Sequence, residues 1–577
     1  MDMKVKGKNM NDFSISPTSQ IVSNGNVFDS SCIKSRVEVI KTLIKDKNVG
    51  GPIGIYCPKN EWRIICIISL LQLGIPYVPI EIGTPKKRIN YILNDCNINC
   101  VITYSEYGTL FEKTDLLLLD YISKEVEAEH GEHKESSGAG INKLAYILYT
   151  SGTTGNPKGV MITRNNLNSF IHSFITNVSL EEVSKVLCLT NYTFDIFFVE
   201  AILPILLGKT VVLANEEECE NPKVIVKLIK NMSIDCIQMT PTRVLQIQSV
   251  DPFFEAFSCA KNILIGGEMF PEKLLADLLN NTSANIYNLY GPTEATIWAM
   301  FSELREKNYV NIGTPLDGTK IYLSEDGERE VEKGEIGEIY IGGPLVAEGY
   351  IDKQGILNEK FTTFSGERVY KTGDYAFLDD MDNYVYVGRK DNQIKLRGHR
   401  IELEEIEKVI QQIQGILQVV VIVSGDEAEN QKLVAFYTSV KKIENTEISK
   451  HMMDMLPQYM VPDVFVCREK FPVNERGKID KKKMKEMYLK EKIKVSVCEE
   501  NDEVSSEILS VLYELSEAAK IELNTELEAL CLSSLGYISL IVKIEELYDL
   551  RFEDDNIMKF SKLKVNDLVD YVKERVV

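Results

Sequence analysis

The chain has 577 residues, a formal charge of −21 and 44% hydrophobic residues, which is globular composition and excludes a disordered or fibrous protein. At roughly 150 residues per domain, this length predicts three or four domains. The acidic excess argues against a nucleic-acid surface, because phosphate binding needs clustered lysine and arginine. The 12 cysteines have no CxxC spacing and the 5 histidines form no HExxH cluster, which argues against a zinc centre held by the protein.

The first sixteen residues have no apolar stretch behind their lysines, so no signal peptide is predicted. The most apolar run extends from Ile64 to Ile80 and is interrupted by Gln72, Gly74 and Pro76. It is too short and too broken for a membrane span and predicts a core helix that leads into a strand. We therefore expect a cytoplasmic protein with reduced cysteines.

Up to about residue 300, helical and strand-like runs alternate, which is typical of βαβ units and parallel sheets. Short buried strands are predicted at Val186–Leu189, Thr210–Leu213 and Ile263–Ile265. From about residue 310 to 388, glycine turns separate short strands, which indicates an antiparallel appendage with strands at Ile321–Leu323, Glu338–Ile341 and Tyr384–Val387. A smaller α/β unit follows, with a helix at Ile406–Gln412 and strands at Leu417–Val423 and Lys432–Thr438.

Residues 481–502 are rich in lysine and glutamate and predict the end of a helix and a linker. The remaining 75 residues or so are helical in period throughout. A small helical bundle on a tether is predicted, with helices at Val504–Ala518, Leu535–Leu550 and Asn566–Val576.

A predicted strand, Leu144–Tyr149, runs directly into the sequence TSGTTGNPKG at residues 150–159. A loop rich in glycine, serine and threonine that ends in Lys158 can surround anionic oxygens with backbone N–H groups and hydroxyls. It is not a Walker motif, because Asn-Pro separates Gly155 from Lys158. The loop predicts a phosphate site, with a polar hairpin loop as the alternative.

A second motif, NLYGPTE at residues 288–294, follows the predicted strand Asn285–Leu289. The ring of Tyr290 suits an adenine face, and Glu294 suits Mg²⁺, which prefers one or two carboxylates together with phosphates. Two further motifs are YKTGD at 370–374 and GRKDNQIKLRGHR at 388–400. Their order and separation indicate one nucleotide-using site rather than unrelated surface segments.

These motifs together resemble the adenylation domain of nonribosomal peptide synthetases, within the acyl-adenylate-forming superfamily of acyl-CoA synthetases and luciferases. The likeness extends from about residue 30 to 485 and includes LPQYMVP at 456–462 and NERGKID at 474–480, and the segment after 500 resembles a peptidyl carrier domain. The resemblance implies an α/β multidomain protein. A large adenylate-forming N-terminal domain (1–390) would combine parallel α/β sheets with an antiparallel β-barrel-like subdomain, followed by a small mobile α/β domain (391–490) and a four-helix-bundle carrier domain (502–577).

The resemblance also implies a role for each matching position. Lys478 would enter the site during adenylation, Glu294 would hold magnesium, and Asp391 would be the hinge between the large and small domains. Lys478, Lys158 and Glu294 are thus the implied catalytic residues, since a lysine and Mg²⁺ would offset the repulsion between a carboxylate and the α-phosphate of ATP. The implied ATP and AMP contacts are Thr150, Ser151, Gly152, Thr153, Thr154, Gly155, Lys158, Asn288, Tyr290, Thr293, Asp374, Tyr386 and Arg389.

In this family, amino-acid-activating members place an aspartate at the substrate ammonium, and Asp195 in TFDIFFVE is the matching residue. An aspartate in such apolar surroundings is expected to be paired with a cation. A helix cap is the alternative role for Asp195. The remaining positions of the implied pocket are Ile196, Val199, Gln238, Leu264, Gly266, Leu289, Ile297 and Trp298.

Gln238, Leu289, Ile297 and Trp298 are bulky and uncharged, so they leave little room beyond the α-carbon of a substrate. The set also resembles the pocket of glycine-activating domains, with Val199 in place of the more usual leucine. Glycine is therefore the predicted substrate and alanine a weak second, since only the overpacking of one methyl excludes alanine. β-Alanine and cysteine are the other small acids considered.

Carrier domains attach 4′-phosphopantetheine to a serine in Gly-X-Asp-Ser-Leu, and this chain has Cys531-Leu532-Ser533-Ser534-Leu535. Register and the following leucine assign the attachment to Ser534, although Cys531 and Ser533 depart from the pattern. The alternative is that a serine only caps the helix. ATP, Mg²⁺ and covalent phosphopantetheine are the implied cofactors.

The implied partners are a phosphopantetheinyl transferase and downstream tailoring or condensation enzymes, since no condensation or thioesterase sequence is recognised in the chain. The sequence leaves open whether a small MbtH-like helper is a further partner. An acyl-CoA-type ligase that uses free coenzyme A and an inactive docking scaffold are the alternative functions. The carrier segment and Asp195 argue against the first, and Lys478, Glu294 and the phosphate loop argue against the second.

Overall fold

The computed structural model describes residues 12–576 of the chain except for the following positions: 48, 113, 123–142, 152–156, 352–356, 390–392, 397–398, 425–430, 442, 469, 473–478, 482, 486, 489–502, 516–524, 526, 528–539, 542, 546, 549, 551 and 553–563. Contacts divide the chain into two compact units. The first comprises Met1–Ile413, Gly425–Gln431 and Glu444–Val461, and the second comprises Gln414–Ser424, Lys432–Ile443 and Pro462–Val577. The domain boundaries expected from the sequence stay a prediction.

The first unit contains most of the strands and helices. Its strands are β1 (Gln20–Ser23), β2 (Asn26–Asp29), β3 (Ile53–Ile55), β4 (Tyr77–Pro79), β5 (Cys100–Thr103), β6 (Asp115–Leu118), β7 (Leu144–Thr150), β8 (Lys158–Thr163), β9 (Lys185–Cys188), β10 (Thr210–Leu213), β11 (Cys236–Met239), β12 (Asn262–Gly266), β13 (Asn285–Tyr290), β14 (Met300–Glu303), β15 (Thr314–Pro315), β16 (Lys320–Ser324), β17 (Gly337–Gly342), β18 (Gly349–Tyr350), β19 (Phe361–Phe364), β20 (Glu367–Leu378), β21 (Tyr384–Arg389), β22 (Gln393–Leu396) and β23 (His399–Glu402). Its helices are α1 (Ser30–Asp46), α2 (Trp62–Leu73), α3 (Lys86–Asp95), α4 (Arg164–Asn177), α5 (Leu203–Leu207), α6 (Glu216–Glu220), α7 (Pro222–Met232), α8 (Pro241–Gln248), α9 (Glu272–Asn281), α10 (Leu403–Gln411) and α11 (Asn445–Met453).

Two large, mainly parallel sheets form the body of this unit. Within the described residues, one has nine strands in the order β15-β14-β13-β12-β11-β9-β10-β1-β2, and the other has seven in the order β18-β8-β7-β4-β3-β5-β6. One apolar core joins residues of both sheets with those of α1, α2 and α4. A second core covers the other face of the nine-stranded sheet with α7, α8 and α9, and a third packs α3 on the seven-stranded sheet. The expected large domain built on parallel α/β sheets is confirmed.

Local sequence explains where key helices begin and end. The N-cap of α4 is Thr163, whose hydroxyl accepts from the backbone N–H of Asn166 while the Asn166 side chain accepts from the Thr163 N–H. The apolar helix α2 ends at Gly74, whose φ of +69° suits a residue without a Cβ. This helix leads to β4, so the core helix and strand predicted for residues 64–80 are confirmed.

An antiparallel sheet follows the nine-stranded one in the chain. Its strands run in the order β16-β17-β20-β19, and β21 also pairs with β20. The strands predicted at Ile321–Leu323, Glu338–Ile341 and Tyr384–Val387 all lie within it. Its role for the site is to bring β20 and β21 together, with Asp374 opposite Arg389.

The second unit contains a three-stranded sheet and the C-terminal helices. The strands are β24 (Ile416–Ser424), β25 (Lys432–Ser439) and β26 (Val464–Cys467), in that order, with β24 antiparallel and β26 parallel to β25. The helices are α12 (Glu503–Leu515) and α13 (Val565–Val576), and the described residues between 540 and 548 are also helical. These segments share an apolar core that includes Leu512, Ile544 and Leu568. The four-helix carrier bundle stays a prediction, because much of it lies outside the described residues.

In the described part of the chain, no helix combines the length and the apolar character that a membrane crossing requires. None of the described cysteines forms a disulfide.

Candidate nucleotide and amino-acid site

The two ends of the predicted phosphate loop lie side by side. Strands β7 and β8 are antiparallel neighbours, and Thr150 is paired with Lys158. Ser151 and Lys158 are buried, with 9% and 8% of their surface exposed. The intervening Gly152, Thr153, Thr154 and Gly155 lie outside the described residues.

Tyr350 joins this lysine to the predicted magnesium ligand. It lies in the two-residue strand β18, opposite Val160 of β8. The Lys158 ammonium is 5.6 Å from the centroid of the Tyr350 ring, within the range of a cation–π contact. The Tyr350 hydroxyl donates to Glu294 Oε1 over 2.6 Å, and Glu294 is only 1% exposed. Lys158 and Glu294 are therefore brought together, as expected, through a residue that the sequence did not single out.

A second group of predicted nucleotide residues converges on Asp374. Its Oδ2 accepts from the Tyr290 hydroxyl over 2.7 Å, and its Oδ1 accepts from Arg389 Nη1 over 2.7 Å and from the Tyr386 hydroxyl over 3.3 Å. Asp374 is 3% exposed. Burial, together with the Asp374 charge, raises the pKa of Tyr290, so its hydroxyl stays a donor. Four of the expected ATP-binding residues thus form one hydrogen-bonded cluster.

Asn288 has a structural contact of its own. Its side-chain amide donates to the backbone carbonyl of Asn311 over 2.8 Å, and only 5% of the residue is exposed. The contact ties β13 to the segment before the antiparallel sheet. An adenine contact for Asn288 stays a prediction.

Asp195 has an unpaired oxygen in the interior. Its Oδ2 is inaccessible to solvent and has no hydrogen-bond partner. Burial raises the pKa of this carboxyl to about 6, while hydrogen bonds from Thr293 and from the backbone at Ile196 act in the opposite direction. The charge of Glu294 raises it further. Such a group is stabilised by a cation, and this is the role that the sequence predicted for Asp195.

The predicted pocket residues of the nine-stranded sheet share one face. Gln238 is in register with Leu264, and Gly266 with Leu289. Because side chains on a strand alternate between the two faces, Leu264 and Gly266 point to the same side. All four are buried. The sheet therefore groups these positions as the sequence predicted.

Trp298 lies directly against Gly266. A Cβ at Gly266 would be 2.7 Å from Trp298 Cη2 and 2.6 Å from the Leu289 carbonyl oxygen, closer than atoms can pack. Trp298 is 1% exposed, and its indole N–H has no partner. Ile297 before it has a φ of +72°, which is strained for a β-branched residue and costs of the order of 1–3 kcal/mol. Such strain is typical of functional sites.

Two cavities border these residues. The larger, of about 460 Å³, is lined by Ile196, Gln238 and Phe194 of the sequence segments discussed and by the charged residues Lys59, Arg63, Glu81, Glu216, Glu220 and Arg243. The smaller, of about 110 Å³, is lined by Thr150, Ser151, Thr193 and Thr293. Phe194 and His399 contribute to both, and their rings meet edge to face with centroids 5.3 Å apart. The predicted amino-acid and phosphate positions thus open onto neighbouring spaces.

Three expected residues cannot be placed. Lys478, the hinge residue Asp391 and the attachment serine Ser534 lie outside the described residues. Among the residues that are described, no group of three or more His, Cys, Asp or Glu side chains could hold a metal ion by itself. The expected magnesium site requires only Glu294 with nucleotide phosphates, so its buried carboxylate next to Lys158 fits that group.

Comparison with known proteins defines the class to which this fold and site belong. The sequence model of the AMP-binding enzyme family matches residues 41–351, and that of the AMP-binding enzyme C-terminal domain matches residues 405–478. The chain belongs to the AMP-binding enzyme family. It is an adenylation domain of the nonribosomal peptide synthetase type with the adenylate-forming fold.

A curated relative is the dimodular nonribosomal peptide synthase of Bacillus subtilis (strain 168), which is 33% identical over 452 residues. This match covers 76% of the chain and 19% of the relative. The chain spans between 6% and 48% of the curated relatives that it matches.

Two solved structures share the fold. The adenylation and carrier-domain protein PA1221, in its holo form, has a TM-score of 0.73 and 20% identity, with 96% of this chain and 93% of that one covered. The four-domain nonribosomal peptide synthetase AB3403, in its holo form with AMP and glycine, has a TM-score of 0.58 and 23% identity, with 98% of this chain and 42% of that one covered.

Proposed function

We propose that the chain activates an amino acid, glycine first among them, as aminoacyl-AMP with release of pyrophosphate. The activated amino acid passes to the phosphopantetheine thiol of the chain's own C-terminal carrier domain, as a step in nonribosomal peptide or related natural-product synthesis. The observation that carries the proposal is the buried Asp195 carboxylate, which has one oxygen unpaired beside Thr293 and Glu294. The smaller cavity next to it leads to Thr150 and Ser151.

The chemistry explains this placement. A carboxylate that attacks the α-phosphate of ATP approaches another anion, so positive charge at the phosphates lowers the barrier. Lys158 supplies part of that charge at the end of the phosphate loop, and Lys478 is the proposed second lysine. Glu294 would hold Mg²⁺, which when bound neutralises phosphate oxygens.

The unpaired oxygen of Asp195 favours an amino acid over a simple acid. A cation about 4 Å away is worth about 4 kcal/mol at an effective dielectric of 20. An aryl or fatty acid has no ammonium group to supply this charge, and the burial that raises the pKa of Asp195 would then remain uncompensated. The amine of the substrate is the group that fits.

Glycine follows from the space that remains. The Trp298 ring occupies the position over Gly266 where other side chains would extend, and Leu289 and Ile297 are 2% and 1% exposed. One extra methyl in such a site costs about 1–3 kcal/mol, so weak alanine activation is expected. The glycine bound to AB3403, whose fold is shared, supports the same choice.

ATP–pyrophosphate exchange with a panel of twenty amino acids tests this function. We expect glycine to give the highest rate and alanine a weak second. Exchange with none of them, or a preference for a large side chain, would contradict the proposal. Lys478→Ala should abolish exchange, whereas Lys333→Ala, which removes a surface ion pair with Asp382, should leave it unchanged.

The carrier step is proposed at Ser534. A phosphopantetheinyl transferase would load this serine, and downstream condensation or tailoring enzymes would use the bound amino acid. The described helices α12 and α13 and the core that they share with Ile544 are compatible with a carrier domain.

A further inference from the structure

Glu200 is a buried carboxylate that the proposed chemistry does not use. It lies in the π-helical segment Phe198–Ile202, directly after the pocket residue Val199, and none of its surface is exposed. Burial raises its pKa, and hydrogen bonds from Thr190 and Leu189 counteract the rise. A carboxylate in so apolar a segment indicates a specific role.

Four hydrogen bonds hold this carboxylate. Oε2 accepts from the backbone N–H groups of Leu189 and Thr190, each over 2.8 Å. Oε1 accepts from the Thr190 hydroxyl over 2.5 Å and from Gln238 Nε2 over 3.2 Å. Glu200 therefore links the end of β9 to β11. Leu189, Thr190 and Gln238 all line the larger cavity.

The contact fixes the orientation of the Gln238 amide. An ionised carboxylate only accepts hydrogen bonds, so the NH₂ group of Gln238 must face Glu200. The amide oxygen then points away, and Gln238 Oε1 is buried without a partner. Gln238 is 3% exposed and in register with Leu264 on the pocket face.

We propose that Glu200 is a positioning residue for substrate selection, because it holds Gln238 in one orientation at the wall of the amino-acid pocket. Without this hold, the flexible glutamine side chain could move aside for a substrate with a β-carbon. With it, such a movement breaks a hydrogen bond to a buried charge, which is stronger than one between neutral groups. Glu200 thereby favours glycine over alanine. The inference rests on the proposed function.

The test compares kcat/KM for glycine and alanine in pyrophosphate exchange. Glu200→Gln keeps the shape but removes the acceptor that orients Gln238. We expect the glycine-to-alanine ratio to fall about tenfold, the size of one lost hydrogen bond to a charged group. The fall should come mainly from a lower KM for alanine and a higher KM for glycine.

Two variants separate positioning from a purely structural role. Thr190→Val removes a different donor to the same oxygen of Glu200 and should leave the ratio within about twofold of wild type, whatever its effect on stability. The double variant Glu200→Gln/Gln238→Glu restores an amide–carboxylate pair in the reverse sense and should recover most of the ratio. A structural role alone would lower both substrates by one factor, and an unchanged ratio in Glu200→Gln would overturn the inference.

If Glu200→Gln does not fold, Gln238→Met gives the same test from the other side. Methionine has a similar volume and makes no hydrogen bond to Glu200, so the ratio should again fall, and an unchanged ratio would overturn the inference. Failure of the proposed function is a distinct outcome, because the wild-type chain would then show no exchange with glycine before any substitution.

Discussion

The hydroxyl of Tyr350 donates to Glu294 over 2.6 Å, while the ring of the same residue lies below the ammonium of Lys158. One side chain thus contacts both the proposed metal ligand and the proposed phosphate lysine. The Tyr370 hydroxyl is 3.4 Å from that of Tyr350 and extends the contact. We infer that Tyr350 sets the spacing between the two charges that a nucleotide triphosphate would bridge.

Tyr350→Phe tests this arrangement, since it keeps the ring and removes only the hydroxyl. Loss of a hydrogen bond to a buried carboxylate costs about 1.5–3 kcal/mol. If this hydrogen bond acts in the transition state, glycine-dependent exchange should fall roughly 10- to 100-fold, with a higher magnesium requirement. Tyr322→Phe is the matched control, because the Tyr322 hydroxyl also donates to a carboxylate, Glu367, in the antiparallel sheet. Equal magnesium titrations for wild type and Tyr350→Phe would contradict the assignment.

Asp195 should make the stability of the free protein depend on pH. Its carboxyl has a pKa of about 6 in the folded chain against an ordinary value of 3.8, so the folded state binds this proton more tightly than the unfolded state. The contribution is favourable at low pH and is lost as pH rises between about 4 and 6. Above pH 6, Asp195→Asn should therefore be more stable than wild type by up to about 3 kcal/mol.

Denaturant unfolding of both proteins at pH 4 and pH 8 measures this difference. The two curves should agree more closely at pH 4. The same variant should lose amino-acid activation at all pH values. A variant that is less stable than wild type at pH 8 would contradict an unpaired Asp195 charge.

Trp298→Ala should widen the pocket. Removing the ring over Gly266 opens space beside Leu289, so exchange with larger aliphatic amino acids should rise relative to glycine. The second tryptophan of the chain, Trp62, is 3% exposed in α2 and serves as a control. Trp62→Phe should change stability but not substrate preference. A glycine-specific Trp298→Ala would show that Trp298 does not line the pocket.

Asp374 and Arg389 should be coupled energetically. Their side chains are 5% and 11% exposed and lie 2.7 Å apart, so removing one leaves the other charge buried without this partner. Each single change to Ala should cost about 3–5 kcal/mol of stability, and the double change less than the sum. A double-mutant cycle by denaturant unfolding measures the coupling, and strict additivity would contradict it. The Michaelis constant for ATP should rise in both single variants, whereas that for glycine should change little.

The strands and the grouping of the site were largely predictable because they follow from local pattern. Thr210–Leu213 was predicted with its observed bounds, and the strand before the phosphate loop ends one residue later than expected. Asp195 could be identified because a carboxylate stands among phenylalanines. The same signal, a charge within FFVEAI, could have identified Glu200.

Other features depend on contacts that sequence patterns do not carry. Tyr350 lies in a two-residue strand with no periodicity, and its partner Val160 is far away in the chain. The left-handed backbone of Ile297 contradicts the usual preference of a β-branched residue, so no propensity could predict it. The approach of Trp298 to Gly266 likewise depends on tertiary packing.

Intact-protein mass spectrometry tests the central claim most directly. The full chain is incubated with coenzyme A and a broad phosphopantetheinyl transferase, and then with ATP, Mg²⁺ and glycine. We predict one pantetheine increment that Ser534→Ala abolishes, followed by one glycine increment that requires ATP and is lost in Lys478→Ala. A chain that gains the pantetheine arm but never an ATP-dependent amino-acid increment would contradict the account.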